Sequence, residues 1–506
     1  MAREPVGFAP VEPRGINGIA QKDPARVALV AGDRRISFGE LDADANRIAR
    51  VLTDVGVRAG DRVAVMLHNR PEVFAVWNGV ARVGALVVPV SYRSLTDEVA
   101  YLVDDSGATA LFYDDAEVVQ PALPARAGLL AAWHADDDAL WSRPATAPTD
   151  EYLGAPVVTM NYTSGTTGRP KGIERAAPAP TREYPPNPIV AFWGFTASDV
   201  HLLCGPAYHT APGAYAQYSL GEGGTVVVMP RFTAESCLNL IQRERVTTSH
   251  MVPANFIRIL EAPWHEFDLT SVKKILHAAA PCPPAVKRQI MEVFPPGTVW
   301  EYYGASEGMC SVISPEEWLR KPGSVGRAFP GVAITIRDED GNELPPGEVG
   351  SVYASGMSGM PKFAYHNAPE KTSDAWRGDE FTVHDLGSLD EDGYLFLADR
   401  RVDLILRGGV NIYPAEVEHA LATNPDVVDS AVFGLPDEQL GQHVHAILEL
   451  RPGAAPDPDA ILEHLRGQLA PYKLPTTFEF IDELPREPNG KVLKRQLRDA
   501  RLGTSP

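Results

Sequence analysis

The stretch Tyr162–Gly172, YTSGTTGRPKG, decides how this chain is read. Ahead of it, Val157–Tyr162 (VVTMNY) is an apolar, β-branched run with the pattern of a buried strand. Within it, Thr163, Ser164, Thr166 and Thr167 set hydroxyl donors beside Gly165 and Gly168. Glycines let backbone N–H groups turn inward and approach an anion closely. Arg169 and Lys171 add positive charge. A strand feeding a hydroxyl-rich, glycine-rich, basic loop is a cradle for phosphate. It is not the common P-loop, which ends in Gly-Lys-Ser or Gly-Lys-Thr; here Pro170 precedes Lys171 and Gly172 follows it.

Working outward, 506 residues suffice for roughly two or three domains with a large core. A net charge of −20 argues against non-specific binding to nucleic acid or to an anionic membrane. Cys204, Cys237, Cys282 and Cys310 form no CxxC and no metal-ligand spacing with histidine, so they read as reduced core thiols of a cytoplasmic protein. The opening MAREPVGFAPVEPRG holds no apolar signal segment, and the longest apolar runs, such as Ala85–Val90, are too short to span a bilayer.

Helix and strand patterns alternate along the first part of the chain. Ser37 and Glu40 form a capping box ahead of Leu41, Ala45, Ile48, Ala49 and Leu52 at helical spacing. Arg62–Leu67, Leu86–Val90 and Ala110–Tyr113 read as strands, and Glu72–Val83 as a helix. Ala116–Glu151 reads as a connecting stretch, and the proline-rich Glu174–Pro188 as an irregular surface excursion. A second run of strands at His201–Cys204, Thr225–Met229, Ser249–Val252, Lys274–His277 and Val299–Tyr303 implies two doubly wound βα subdomains. Past Gly326, turns at Asp340–Gly350 and Asp390–Leu395 imply a small antiparallel β subdomain. The pattern resets near Arg400, giving residues 1–400 as an N-terminal domain and 401–506 as a smaller α+β domain.

Further stretches carry chemistry. EYYGASEG (Glu301–Gly308) ends a strand, where open α/β sheets bind ligands. Tyr303 offers a face for a purine, Gly304 close backbone approach, Ser306 a hydroxyl, and Glu307 a hard oxygen for Mg2+. HAAAP (His277–Pro281) leaves space at another strand end, and Asp385 in HDLG can accept hydrogen bonds from ribose hydroxyls. DRRVD (Asp399–Asp403), LILRGGVNIYPAEVE (Leu404–Glu418), LPREPNGKVLKR (Leu484–Arg495) and GPAYHTAPGAY (Gly205–Tyr215) complete the set. In the third of these, Lys491 follows a Pro-Asn-Gly turn and is expected to open a helix.

Together with the Tyr162–Gly172 loop, these stretches resemble the adenylate-forming superfamily, the acyl-CoA synthetases above all, over nearly the whole chain. The resemblance implies ATP, Mg2+ and coenzyme A, and a carboxylic acid activated as acyl-AMP before transfer to CoA. It implies that Thr163, Ser164, Gly165, Thr166, Thr167, Gly168 and Lys171 hold phosphates, with Thr163 joining Glu307 at the metal. Ala279, Ala280, Pro281, Tyr303, Gly304, Ala305 and Ser306 would line the adenine and acyl groups. Asp385 would take the ribose, Arg400 the nucleotide, and Gly408 and Gly409 the pantetheine arm. Lys491 and Glu307 would be catalytic, and His209 would border the acyl tunnel as a catalytic gate. The mobility of the 401–506 domain is implied by the resemblance alone. Four departures stand out: Ser306 replaces a Thr, His384 and Asp399 each replace a Gly, and Val402 replaces a polar pivot. The pocket candidates Phe192, Trp193, His209, Met251, Ala278, Ala305 and Met309 are mostly apolar, which favours a fatty or aromatic acid over a charged one. A stand-alone adenylation enzyme that loads a separate carrier protein is the alternative, and a homodimer stays open.

Overall fold

The computed structural model describes residues 14–123, 128–163, 170–356, 362–400, 403–407, 410–437, 440–487 and 490–502, with the side chains of Asp399 and Arg400 left out. The described residues divide into two compact units, one up to Arg231 and the other from Phe232 onward.

In the first unit the chain opens a hairpin from β1 (Val27–Ala31) and β2 (Arg34–Ser37), which leads into α1 (Phe38–Asp54). The capping box is made: Glu40 N–H donates to Ser37 Oγ at 3.2 Å and Ser37 N–H to the Glu40 carboxylate at 2.7 Å, a device worth about 1 kcal/mol. β3 (Arg62–Met66), α2 (Glu72–Ala81), β4 (Leu86–Pro89), α3 (Thr96–Ser106), β5 (Ala110–Tyr113) and β6 (Ala131–His134) then build a parallel sheet in the order β4-β3-β5-β6. Strand alternation sorts its side chains to two faces. Val63, Val65 and Phe112 pack with Ile48, Leu52 and Phe74 of α1 and α2, while Ala64, Met66 and Leu111 pack with Val99 and Val103 of α3. Both faces are covered, which is the doubly wound arrangement.

Two expectations change here. Ala116–Glu151 contains the helix Ala116–Ala122 and the edge strand β6; the short, half-exposed AAWH of β6 lacks the alternation that marks a strand. VVTMNY is paired as a strand only from Asn161, in β7 (Asn161–Thr163). Ahead of that it runs extended beside β4, with Met160 N–H donating to Val87 O at 2.8 Å. The unit closes with β8 (Lys171–Glu174), β9 (Val200–Leu203), α4 (Thr210–Gly221) and β10 (Thr225–Val228), the last pairing in parallel with both β9 and β1. The proline-rich stretch runs mostly exposed over this unit. Its Tyr184 is its anchor, lying so close to Gly15 and Gly221 that a Cβ on either would sit 2.8 Å from it.

In the second unit α5 (Ala234–Glu244), β11 (Thr248–Met251), α6 (Pro253–Glu261), β12 (Lys274–His277), α7 (Pro284–Val293) and β13 (Val299–Ala305) alternate, and the three strands are parallel neighbours. β14 (Gly308–Ile313) folds back antiparallel on β13. An antiparallel sheet follows from β16 (Ile334–Arg337), β17 (Gly350–Ser355), β18 (Glu380–Phe381), β19 (Asp385–Leu389) and β20 (Leu395–Arg400), with β15 (Arg327–Ala328) added to β14. The last part is the expected α+β unit. Strands β21 (Ile405–Arg407), β22 (Val410–Ile412), β23 (Val427–Asp437), β24 (Gly441–Leu450) and β25 (Thr477–Ile481) form one sheet. α8 (Pro414–Leu421) and α9 (Pro458–Arg466) cover one face through Val417, Leu421, Ile461 and Leu465, and α10 (Lys494–Leu502) covers the other through Leu497. All four cysteines are buried and no disulfide joins them. Among the described residues, no helix is long and apolar enough to cross a membrane.

Candidate active site

In the first unit β7 and β8 form an antiparallel hairpin in which Thr163 pairs with Lys171, so the two residues flank the tip of the glycine-rich loop. Ser164, Gly165, Thr166, Thr167 and Gly168 lie outside the described residues. The hairpin is braced on both sides: Tyr162 Oη donates to Asp105 at 2.7 Å and Tyr101 Oη donates to Pro170 O at 3.0 Å. The two described ends of the loop, Thr163 and Lys171, are thereby held in place by the stem.

His209 stands at the N-cap of α4 without capping it. Its ring lies 4.4 Å from that of Tyr208, and its Nε2 is buried with no hydrogen-bond partner. Burial pulls its pKa down to about 4, and the positive charge of Arg93 adds to this. The ring is therefore neutral at pH 7 and presents an unsatisfied nitrogen, an arrangement that costs stability unless a ligand completes it. Nearby in sequence, Asn187 caps the short helix Pro188–Trp193 and so orients Phe192 and Trp193, whose rings meet edge to face at 4.9 Å.

In the second unit the nucleotide candidates gather at the strand ends. β13 runs on to Ala305, two residues beyond the expected stop, and turns at Ser306–Glu307 into β14. Gly304 is needed for the hairpin itself: a Cβ there would lie 2.6 Å from Gly308 O and 2.9 Å from Met309 Cα. Tyr303 Oη donates to the Asp385 carboxylate at 2.7 Å, and both residues are buried, so two separate sequence candidates meet. The backbone of Arg400 is the cross-strand partner of Asp385. Glu307 accepts a hydrogen bond from Tyr365 Oη at 2.8 Å. Burial pushes the Cys310 thiol up, and the carboxylates of Asp385 and Glu307 push it further, so both charges converge on that side chain.

Two of these segments are held in left-handed backbone by residues other than glycine. Ala279 has φ of 76° and His384, directly before Asp385, has φ of 64°. Such conformations cost about 1–2 kcal/mol for an L-residue and collect at functional sites. The resemblance expects glycine at 384, and the backbone explains why. Ala279 and Pro281 are exposed beyond β12, while His277 below them is fully buried.

Lys491 does not open a helix. Gly490, with φ of 85°, turns the chain so that Glu487 N–H donates to Lys491 O at 2.7 Å, and α10 begins only at Lys494. The lysine sits on a short hairpin, which fixes its backbone where a fraying first helical turn would not. The side chain of Arg400, the pivot position Val402, and Gly408 and Gly409 lie outside the described residues. Among the described residues no cluster of three or more His, Cys, Asp or Glu could hold a metal by itself.

Sequence reasoning missed two features. Tyr365 holds Glu307 from a segment far along the chain, and no local pattern marks it. Lys287 is fully buried on α7 and ion-paired with Glu301, while neither ring nitrogen of the adjacent His277 finds a hydrogen-bond partner. A signal existed for Lys287, which occupies the same helical face as Ile290 and Val293.

With this geometry in hand, comparison with known proteins is informative. Residues 18–363 match the AMP-binding enzyme family and residues 416–491 the AMP-binding enzyme C-terminal domain. Fatty acid–[acyl-carrier-protein] ligase ScoC of Streptomyces coeruleorubidus is 34% identical, with 96% of this chain and 95% of that protein covered. Long-chain-fatty-acid–CoA ligase FadD13 of Mycobacterium tuberculosis H37Rv is 34% identical, with 94% and 95% covered. The crystal structure of ATP-bound MatB from Rhodopseudomonas palustris superposes with a TM-score of 0.82 at 30% identity, covering 96% of this chain and 98% of that one.

Proposed function

The chain belongs to the AMP-binding enzyme family, and from that premise we propose that it is an AMP-forming acyl-CoA ligase for a fatty or aromatic acid. The observation that carries the reading is the Tyr303–Asp385 hydrogen bond beside the Glu307 turn, at the carboxyl ends of parallel strands. It joins a flat aromatic face to a ribose-seeking carboxylate, which is what an adenosine moiety requires.

In the first step a carboxylate oxygen attacks the α-phosphorus of ATP in line, the bond to the β-phosphate oxygen breaks, and pyrophosphate leaves. The Thr163–Lys171 loop cradles the β- and γ-phosphates, and Lys491 balances the negative charge that builds between the acid and the α-phosphate. Such catalysis is positioning plus electrostatics. Glu307, a hard oxygen ligand held by Tyr365, would hold Mg2+ together with Thr163, and the ion would neutralise phosphate charge. In the second step the thiol of CoA attacks the acyl carbon and AMP leaves. For that step residues 401–506 act as a moving domain that withdraws Lys491 and brings Gly408 and Gly409 to the pantetheine arm.

The apolar character of most candidate pocket residues supports this choice of acid: Phe192 and Trp193 in the first unit; Met251, Ala278, Ala305 and Met309 in the second. A neutral His209 is compatible with such an acid. A second reading, loading of a separate carrier protein, is favoured by ScoC, which is as similar to this chain as FadD13. AMP release across a panel of short, medium and long fatty acids, benzoates and cinnamates, with CoA or an acyl carrier protein as acceptor, tests both. A CoA-dependent optimum supports the ligase. Turnover only with the carrier protein replaces it by the second reading, and silence with every acid overturns the substrate class.

A further inference from the structure

The hairpin that carries Lys491 is seated on one helix. Gly490 approaches the start of α6 so closely that a Cβ would lie 2.8 Å from Val252 Cγ2 and 3.0 Å from Ala254 Cβ. From the same helix, Arg258 reaches Glu483 at 3.0 Å and Glu261 meets Arg451 at 3.6 Å. Arg258 and Glu261 are three apart and share a helix face, while Phe256 and Ile259 on the other side are fully buried. One face of α6 therefore belongs to the core, and the other offers a positive and a negative group to the C-terminal segment.

That segment is tied internally to the same place. Arg486 forms an ion pair with Asp429 and donates to Gly490 O at 2.8 Å, so the lysine hairpin moves with β23. Leu484 N–H donates to Glu449 at 3.0 Å. Burial pushes the Glu449 carboxyl up, and the neighbouring carboxylates of Glu483 and Glu261 push it further. The two crossing pairs have opposite polarity. Any shift that exchanged partners would set Arg258 against Arg451 and Glu261 against Glu483, and like charges in contact oppose that register.

We propose that α6 is the seat of the Lys491 hairpin and that Arg258 and Glu261 are positioning residues, setting the fraction of time the lysine is held for the adenylation step. The inference rests on the reading of Lys491 as the residue of that step. Both pairs are exposed, so each shifts the seated equilibrium by only about two- to fivefold. That weakness suits a contact that must break once per turnover.

The test uses Arg258→Glu, Glu483→Arg and the double exchange in the full chain. ATP–pyrophosphate exchange reports adenylation, thioester formation from supplied acyl-adenylate reports the second step, and hydrogen exchange over residues 252–258 reports seating without any turnover. Each single reversal is expected to slow adenylation about two- to fivefold, to leave the second step equal or faster, and to speed hydrogen exchange at 252–258. The double exchange restores all three. The proposal fails if the singles slow both steps in the same proportion, or if the double shows the product of the two single effects. Should the unaltered protein adenylate none of the acids tried, the substrate class proposed above falls, and hydrogen exchange still decides the seat: unchanged exchange in the singles removes it.

Discussion

At the scale of single residues, the role proposed for Lys491 is one that separates the two chemical steps. Lys491→Ala is expected to lower adenylation by at least about a hundredfold, the usual order for a charge-stabilising group. It should spare thioester formation from preformed acyl-adenylate, which single-turnover assays of each step would read directly. His384 shows a different kind of cost. It holds φ of 64° in front of Asp385, and His384→Gly should raise stability by up to about 1 kcal/mol, measured by urea unfolding. His209 gives a pH signature. Its folded pKa of about 4 lies below the ordinary value of 6.5, so between those two the unfolded chain binds a proton that the folded chain does not. The contribution is full above pH 6.5, is lost as pH falls toward 4, and changes no further below that. His209→Phe should flatten the stability profile in this window by up to about 3 kcal/mol, checked by denaturant titrations at pH 4.5, 5.5 and 7.

At the scale of elements, α7 is tied to β13 by one buried charge pair. Lys287 Nζ pairs with Glu301 and lies 4.8 Å from the centre of the Trp318 ring. Lys287→Met should cost about 3–5 kcal/mol by leaving a buried carboxylate alone, and Lys287→Met with Glu301→Leu should recover most of it; thermal unfolding of both variants checks this. Elements were legible in the sequence in proportion to their pattern. The Ser37 capping box, the runs of β3 and β5, and the apolar face of α1 were read from spacing because burial on one or two faces writes itself into the chain. β6 escaped notice because an Ala-rich edge strand needs no apolar alternation. The helix expected at Lys491 starts three residues late because Gly490 directs a hairpin, and a left-handed φ is not announced by composition. The candidate site followed the same rule: stretches such as EYYGASEG were visible, while the Tyr365–Glu307 and Tyr303–Asp385 bonds link positions far apart in the chain.

At the scale of the whole molecule, a net charge of −20 opposes polyanionic substrates at long range. Screening by salt weakens that repulsion. KM for ATP and for CoA should therefore fall as ionic strength rises from about 0.01 M to 0.1 M, and a KM that climbs over this range would show that local basic groups dominate the approach. The burial of Cys204, Cys237, Cys282 and Cys310 has a practical outcome of another sort. For Cys282 and Cys310 burial also pushes the thiols up, so the reactive thiolate form is scarce. A cysteine introduced on the surface would react with maleimides far ahead of the native ones. Fluorophore pairs could be attached at chosen points without first stripping the chain of its own thiols, and the movement proposed for residues 401–506 looked for molecule by molecule during turnover.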